Sequence, residues 1–312
     1  MIKTINPKDI SQTELHRYLL SAIAPRPICF ASTIDKAGHV NLSPFSFFNV
    51  FSSNPPIMVF SPSRRGRDNT TKHTYENVKE VKEVVINIVN FAMVEQMSLT
   101  STEYEKGVNE FVKAGFTQVE SKKVKPPRVG EAPVSFECVV DQIIELVDGP
   151  GAGNLIVARV VLMHMNEAYL DAKEMLDTQK LDLVARMGGS WYARASRAAL
   201  FEIPKPLRKK GIGVDQLPIH VQTSEVLTGN HLGRLANVEQ LPNKDEVITI
   251  LSKKEVADLF ERYANDKHTM LLAIHELAKK WLEEGNTEGA LKLLLVFSFC
   301  RGINSAKPTT NN

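Results

Sequence analysis

The chain is poor in cysteine, balanced in charge and free of long apolar runs, and each shortage excludes something. Cysteine occurs 3 times in 312 residues, at Cys29, Cys138 and Cys300, with no Cys-x-x-Cys pair. An odd number of widely spaced thiols argues against a disulfide framework and against a structural zinc site. It suits a reducing compartment, so a cytoplasmic protein is expected. Lys and Arg number 38 against 36 Asp and Glu, a net charge of +2. That balance leaves no global field for a nucleic acid or an anionic membrane. The most apolar run, Leu291 to Phe299, falls well short of the roughly eighteen residues a membrane helix needs. The opening residues, Met1 to Pro7, hold no apolar signal core. The 8 histidines are scattered, without His-Glu-x-x-His or His-x-His spacing, and no metal site is expected. Aromatic residues make up 7% and point to no activity. What is present, 43% hydrophobic and 24% charged residues, is the composition of a globular protein with a sizeable core.

Several familiar signatures are missing as well. Gly149-Pro-Gly-Ala-Gly153 lacks the spacing of a dinucleotide fingerprint and precedes a strand, not a helix. Neither a phosphate-binding Gly-x-x-x-x-Gly-Lys loop nor a Gly-x-Ser-x-Gly elbow occurs.

Hydrophobic periodicity divides the chain into three stretches. From residue 20 to about 165 short β-prone runs dominate: Ile28 to Ile34, Phe45 to Phe51, Ile57 to Phe60 and Glu83 to Val89. Val134 to Leu146 and Asn154 to Met165 are expected to pair antiparallel across the glycine-rich loop 148–153. Helical pieces are expected at Thr71 to Lys79, Ala92 to Leu99 and Asn109 to Ala114. Strand follows strand more often than helix, which favours an antiparallel barrel over a doubly wound sheet. Residues 166–245 look irregular, broken by Pro204, Pro206, Pro218 and Pro242. From Ser252 the pattern turns helical: Ser252-Lys-Lys-Glu255 is a capping box, Gly285 stops a helix, and Thr287 is expected to cap the next. That hairpin is a packing cap or a contact surface. The tail from Ser305 to Asn312 is expected to be disordered. The expected division is a domain over 1–245, a helical extension over 246–304 and the tail, 305–312.

The densest chemistry lies between Arg26 and Asn77. Asn41, Ser43, Pro44, Phe45 and Ser46 set small polar groups among apolar ones, which suits a flat ligand with a hydrogen-bonding edge. Ser61 to Thr74 follows a strand, enters a helix and holds Ser61, Ser63, Arg64, Arg65, Arg67, Thr70, Thr71, Lys72 and Thr74. Cations, hydroxyls and helix-start amides together make a phosphate site. The alternative is a solvated basic loop capped by Thr70 or Thr71. In Arg186-Met-Gly-Gly-Ser-Trp-Tyr192 an aromatic ring could stack on a ligand and Arg186 face an anion. The alternative there is a glycine turn with aromatics packed in the core. Arg208-Lys-Lys210 is a short solvated basic stretch, and His220 and His231 are loop hydrogen bonders.

Pro25-Arg-Pro-Ile28, Asn41 to Phe48, Pro55-Pro56, Lys72-x-Thr74-x-x-Asn77 and Lys125-Pro-Pro-Arg128 occur in one order. As an ordered set they resemble the flavin reductase-like, FMN-binding split-barrel family, which includes flavoredoxins. Gly211 to Pro218 and Val226 to Gly233 resemble a subgroup, so the likeness runs over about residues 15 to 240. His73 departs from it, standing where many relatives carry Asp. The resemblance implies a six-stranded Greek-key barrel with added helices, dimeric, with FMN near the dimer interface. It implies that Asn41, Ser43, Pro44, Phe45 and Ser46 line the flavin ring edge. Ser61, Ser63, Arg67, Thr70, Thr71, Lys72 and Thr74 would hold the phosphate, with Arg67 chosen among the arginines for its nearness to the helix start. Arg186 would face the flavin. The implied activity is hydride transfer from NADH or NADPH to flavin, which requires no protein acid or base. The alternatives are an FMN electron carrier reduced by a partner protein, a non-enzymatic interaction module built on the helical hairpin, and pyridoxal phosphate chemistry on a related barrel.

Overall fold

The computed structural model describes residues 1–203 and 210–300. Pro204, Pro206, Arg208, Lys209 and the tail from Ser305 lie outside them. The chain divides into two compact units, Met1–Phe201 and Glu202–Asn312.

The first unit is built on seven strands: β1 Cys29–Ile34, β2 Val40–Phe45, β3 Phe48–Ser53, β4 Pro56–Phe60, β5 Glu83–Ile88, β6 Val134–Glu145 and β7 Asn154–Met165. Their order in the sheet is β2-β1-β5-β6-β7-β4-β3, antiparallel throughout. β1 and β5 lie inside the sheet and are buried on both faces, so they read as continuous β-branched and aromatic runs. β6 and β7 pair from Val134↔Met165 to Glu145↔Asn154, with register shifts at Glu137/Cys138 and Val140/Gln142 that bend the long hairpin. The two edge strands, β2 and β3, are consecutive in the chain and separated only by Ser46 and Phe47. The sheet must therefore curl until its edges meet at that corner, giving a barrel with one unpaired seam.

The seam corrects two expectations. Phe45 to Phe51 is not one strand; it breaks at Ser46-Phe47 and supplies both edges, so the sheet has seven strands and not six. Pro44 is tolerated because β2 has β1 on one side only.

Alternation sends Cys29 and Ala31 into one apolar cluster with Phe60, Ile86 and Ile156. It sends Ile28 and Phe30 into another with Leu42, Phe111 and Val129. Helix α2, His73–Glu80, adds Tyr75 and Val78 to the first cluster. Helix α1, Gln12–Ala22, was not foreseen; Ser11 caps it by accepting from Glu14 N at 3.1 Å, and none of its residues is buried.

The second unit has its own core. Helices α3 Lys254–Arg262, α4 Lys267–Glu283 and α5 Thr287–Cys300 form its later part. Leu217, Val221 and Leu235 share one cluster with Ile274, Trp281 and Leu294. That shared burial puts the boundary at 201/202, where 245/246 was expected. The hairpin is present and Gly285, at φ 86°, ends α4. Ser252 makes no capping box; its hydroxyl donates to Thr249 O at 2.8 Å, and α3 has Lys253 at its N-cap. Asn286, not Thr287, caps α5, accepting from Gly289 N at 3.0 Å. No helix among the described residues is long and apolar enough to cross a membrane.

Candidate functional site

The seam of the barrel opens into a cleft of about 290 Å³, at the lower edge of small-molecule sites, which span roughly 300–1,000 Å³. Four segments converge on it. The end of β2 and the corner supply Ser43 to Phe47, and the chain leaving β4 supplies Ser61 and Ser63. Ser61 N donates to Phe47 O at 2.9 Å and holds these two segments side by side. Lys72, at the N-cap of α2, and Ser101 form a third wall. The fourth comprises His16 and Leu20 of α1 with Arg26, Arg186, Met187 and Gly189.

Arg26 organises that last wall. It is 5% exposed, and its guanidinium donates to the carbonyls of Leu20, Ile23 and Met187 and to Ser46 Oγ at 3.3 Å. Burial, then the nearby Arg186, push its pKa down. Arg186 begins a tight turn between strands β8 Val184–Arg186 and β9 Tyr192–Arg194. Its guanidinium stacks on Tyr192 at 4.6 Å and donates to Trp191 O at 3.3 Å. The glycines do turn the chain, Gly189 at φ 58°. The aromatics do not pack the core, for Trp191 is 78% exposed. Gly188 packs closely on α1: a Cβ there would lie 3.2 Å from Ser21 Cα.

Arg26, Lys72 and Arg186 line the cleft, and no Asp or Glu among the described residues does. Burial, and then Arg65, lower the pKa of Lys72. The start of α2 has no side-chain cap; the amides of Tyr75 and Glu76 donate to Lys72 O at 3.0 and 3.2 Å. Ser61 lines the cleft, and its buried Oγ has no hydrogen-bond partner among the described residues. These features fit a ligand with a phosphate: cations, hydroxyls and one unsatisfied polar atom.

The structure brings Ser43, Pro44, Phe45, Ser46, Ser61, Ser63, Lys72 and Arg186 together in the cleft. Asn41 and Thr74 stand behind it, joined by Asn41 Nδ2 donating to Thr74 Oγ1 at 2.9 Å. Arg67, Thr70 and Thr71 do not line it. Arg67 is 68% exposed and paired with Asp68 and Glu103. Thr70 donates to Asp68 at 2.6 Å, and Thr71 to Glu76. Arg64 is bound to Asp148 at 3.0 Å, and Arg65 to Glu103 at 3.1 Å. The cations and hydroxyls of the basic loop are thus largely taken up by carboxylates, most of them outside the loop. Arg26, His16, Leu20, Phe47, Ser101, Met187 and Gly189 were missed as site residues. Ser11-x-x-Glu14 was the available signal for the helix that carries two of them.

A curled antiparallel sheet with a cation-lined cleft at its seam defines a split-barrel protein. The family described as "Flavin reductase like domain" matches residues 21–180, and the chain belongs to it. The runs Gly211 to Pro218 and Val226 to Gly233 lie beyond the matched residues. An uncharacterized protein of Aquifex aeolicus is 39% identical over 188 residues, 60% of this chain and 93% of its own. Nitrilotriacetate monooxygenase component B from Bacillus cereus is similar in structure, with a TM-score of 0.60 and 29% identity over 66% of this chain and 98% of its own. The flavoredoxin of Desulfovibrio vulgaris shares the fold, with a TM-score of 0.50 and 20% identity over 66% of this chain and 96% of its own.

Proposed function

We propose that the protein is an FMN-binding oxidoreductase of the flavin reductase type, with NADH or NADPH as electron donor. The observation that carries this reading is the carboxylate-free cleft whose cations, serines and unpaired Ser61 hydroxyl match a phosphorylated ligand. When bound, FMN supplies the ring system that accepts a hydride and passes electrons on. In this reading Ser61, Ser63 and Lys72 hold the phosphate. Ser43 to Ser46 border the ring edge, where hydrogen-bond donors tune the cofactor. Phe47, Leu20 and Met187 exclude water from the same side. None of these residues needs to act as an acid or base; the protein positions two flat ligands. A homodimer belongs to the same proposal, supported by the exposed apolar side chains Val50 and Phe51 on the edge strand β3. So does a cytoplasmic setting, supported by the buried, free thiols of Cys29 and Cys138.

The test is the absorption spectrum of the purified protein, the identity of the flavin released from it, and anaerobic reduction by each nucleotide. A yellow, FMN-releasing protein bleached by NADH or NADPH is expected. A colourless protein that fails to bind added FMN would overturn the reading. Bleaching by a reduced partner protein alone would mark an electron carrier.

A further inference from the structure

Glu103 lies on the turn after the short helix Val94–Leu99, distant in sequence from the loop it touches. Its carboxylate gathers three cations of that loop. Arg65 Nε is 3.1 Å from Oε1, Arg67 is paired with Oε2, and Lys72 Nζ is 3.7 Å from Oε1. Lys72 forms part of the wall between the main cleft and a small adjoining pocket that Glu103 lines. Ser101, two residues before Glu103, lines both spaces. The carboxylate therefore sits behind the one loop cation that faces the cleft. At 3.7 Å its hold on Lys72 is an ion pair and not a short hydrogen bond, so the ammonium is free to turn toward a second anion.

We infer that Glu103 is a positioning residue that competes with the flavin phosphate for Lys72 and sets how strongly a phosphorylated flavin is retained. The inference rests on the FMN reading above. A phosphate dianion entering the cleft meets the attraction of Lys72 and, through it, the repulsion of a carboxylate that shares the same ammonium. An uncharged flavin tail meets neither. The pairings with Arg65 and Arg67 keep Glu103 in place, so its charge is a fixed feature of the site. Glu103→Gln removes that charge while keeping an acceptor for Arg65.

The experiment is fluorescence titration of the full-length, flavin-free protein with FMN and with riboflavin, which lacks the phosphate. In E103Q, FMN should bind about three- to tenfold more tightly, the size of a screened, partly exposed charge interaction, with riboflavin unchanged. Glu103→Asp, which keeps the charge, should keep the wild-type ratio of the two affinities. In a Lys72→Gln background, E103Q should no longer move that ratio, because the coupling runs through Lys72. An unchanged ratio in E103Q, or equal weakening of both flavins, overturns the inference. Failure of the wild type to bind either flavin overturns the FMN reading itself, and the inference falls with it.

Discussion

Arg26 and Arg186 exchange both backbone hydrogen bonds, Arg26 N to Arg186 O at 3.0 Å and Arg186 N to Arg26 O at 2.8 Å. This bridge joins chain segments far apart in sequence and delivers two arginines to one cleft, where they have unequal duties. The Arg26 guanidinium is engaged by the carbonyls around it, whereas that of Arg186 is stacked on an exposed ring. Arg26→Ala would take the donor from three part-buried carbonyls and should cost about 1–3 kcal/mol in urea unfolding. Arg186→Ala should cost under about 1 kcal/mol in the same measurement, as expected of a half-exposed side chain. Equal losses would refute this division.

Ser61 supplies a second separation of stability from binding. Its hydroxyl is buried without a partner, so Ser61→Ala removes an unsatisfied group and should leave the melting temperature within a few degrees of wild type. If the hydroxyl receives the phosphate, the same change should weaken FMN binding by about 1 kcal/mol, roughly fivefold. Lys72→Gln should weaken it by about 1.5–3 kcal/mol and flatten its salt dependence, since a charge-assisted contact is lost. Isothermal titration at two ionic strengths reads both effects.

The strands were legible because β1 and β5 are short continuous β-prone runs and β6 and β7 long β-branched ones, each bounded by turn residues. The seam was not, because Phe45-Ser-Phe-Phe48 keeps a strand-like composition straight through the corner. The anion-binding loop was legible as a cluster but not in its pairing. Arg67 was chosen for its place along the chain, yet its partner Glu103 lies 36 residues away. The bridge from Arg26 to Arg186, which decides the arginines of the cleft, spans a separation that no local pattern encodes.

Gly188 tests whether α1 is fixed by the turn after β8. A methyl group there would press on the Ser21 backbone at 3.2 Å and on its hydroxyl. The methyl would meet a backbone atom, Ser21 Cα, that cannot rotate away, so Gly188→Ala should displace the helix at a cost of about 1–3 kcal/mol. Hydrogen exchange should accelerate over residues 12–22. Gly189→Ala meets no neighbour within 4 Å, but Gly189 has φ 58°, so its cost is backbone strain of about 1 kcal/mol. The helix should exchange normally in that variant.

Glu137 gives the fold a dependence on pH. Its side chain is fully buried, and burial opposes its ionisation. The amides of Lys122, at 2.8 Å, and Lys123, with the His164 ring at 2.6 Å, outweigh that and hold its pKa below the usual carboxylate value. A carboxylate whose pKa is depressed by folding adds stability that is fully present above its unfolded value, about 4.3. That stability is lost as pH falls from there through the lower, folded value. The free energy of unfolding should therefore decline on acidification below about pH 4.3, with protons taken up on unfolding. Glu137→Gln keeps one acceptor but removes the charge, and should cost about 2–4 kcal/mol at pH 7. It should also reduce the slope of stability against pH in the acid range. A variant as stable as wild type at pH 7, with the same acid slope, would mean that the amides of Lys122, Lys123 and Val124 and the His164 ring are satisfied without the carboxylate.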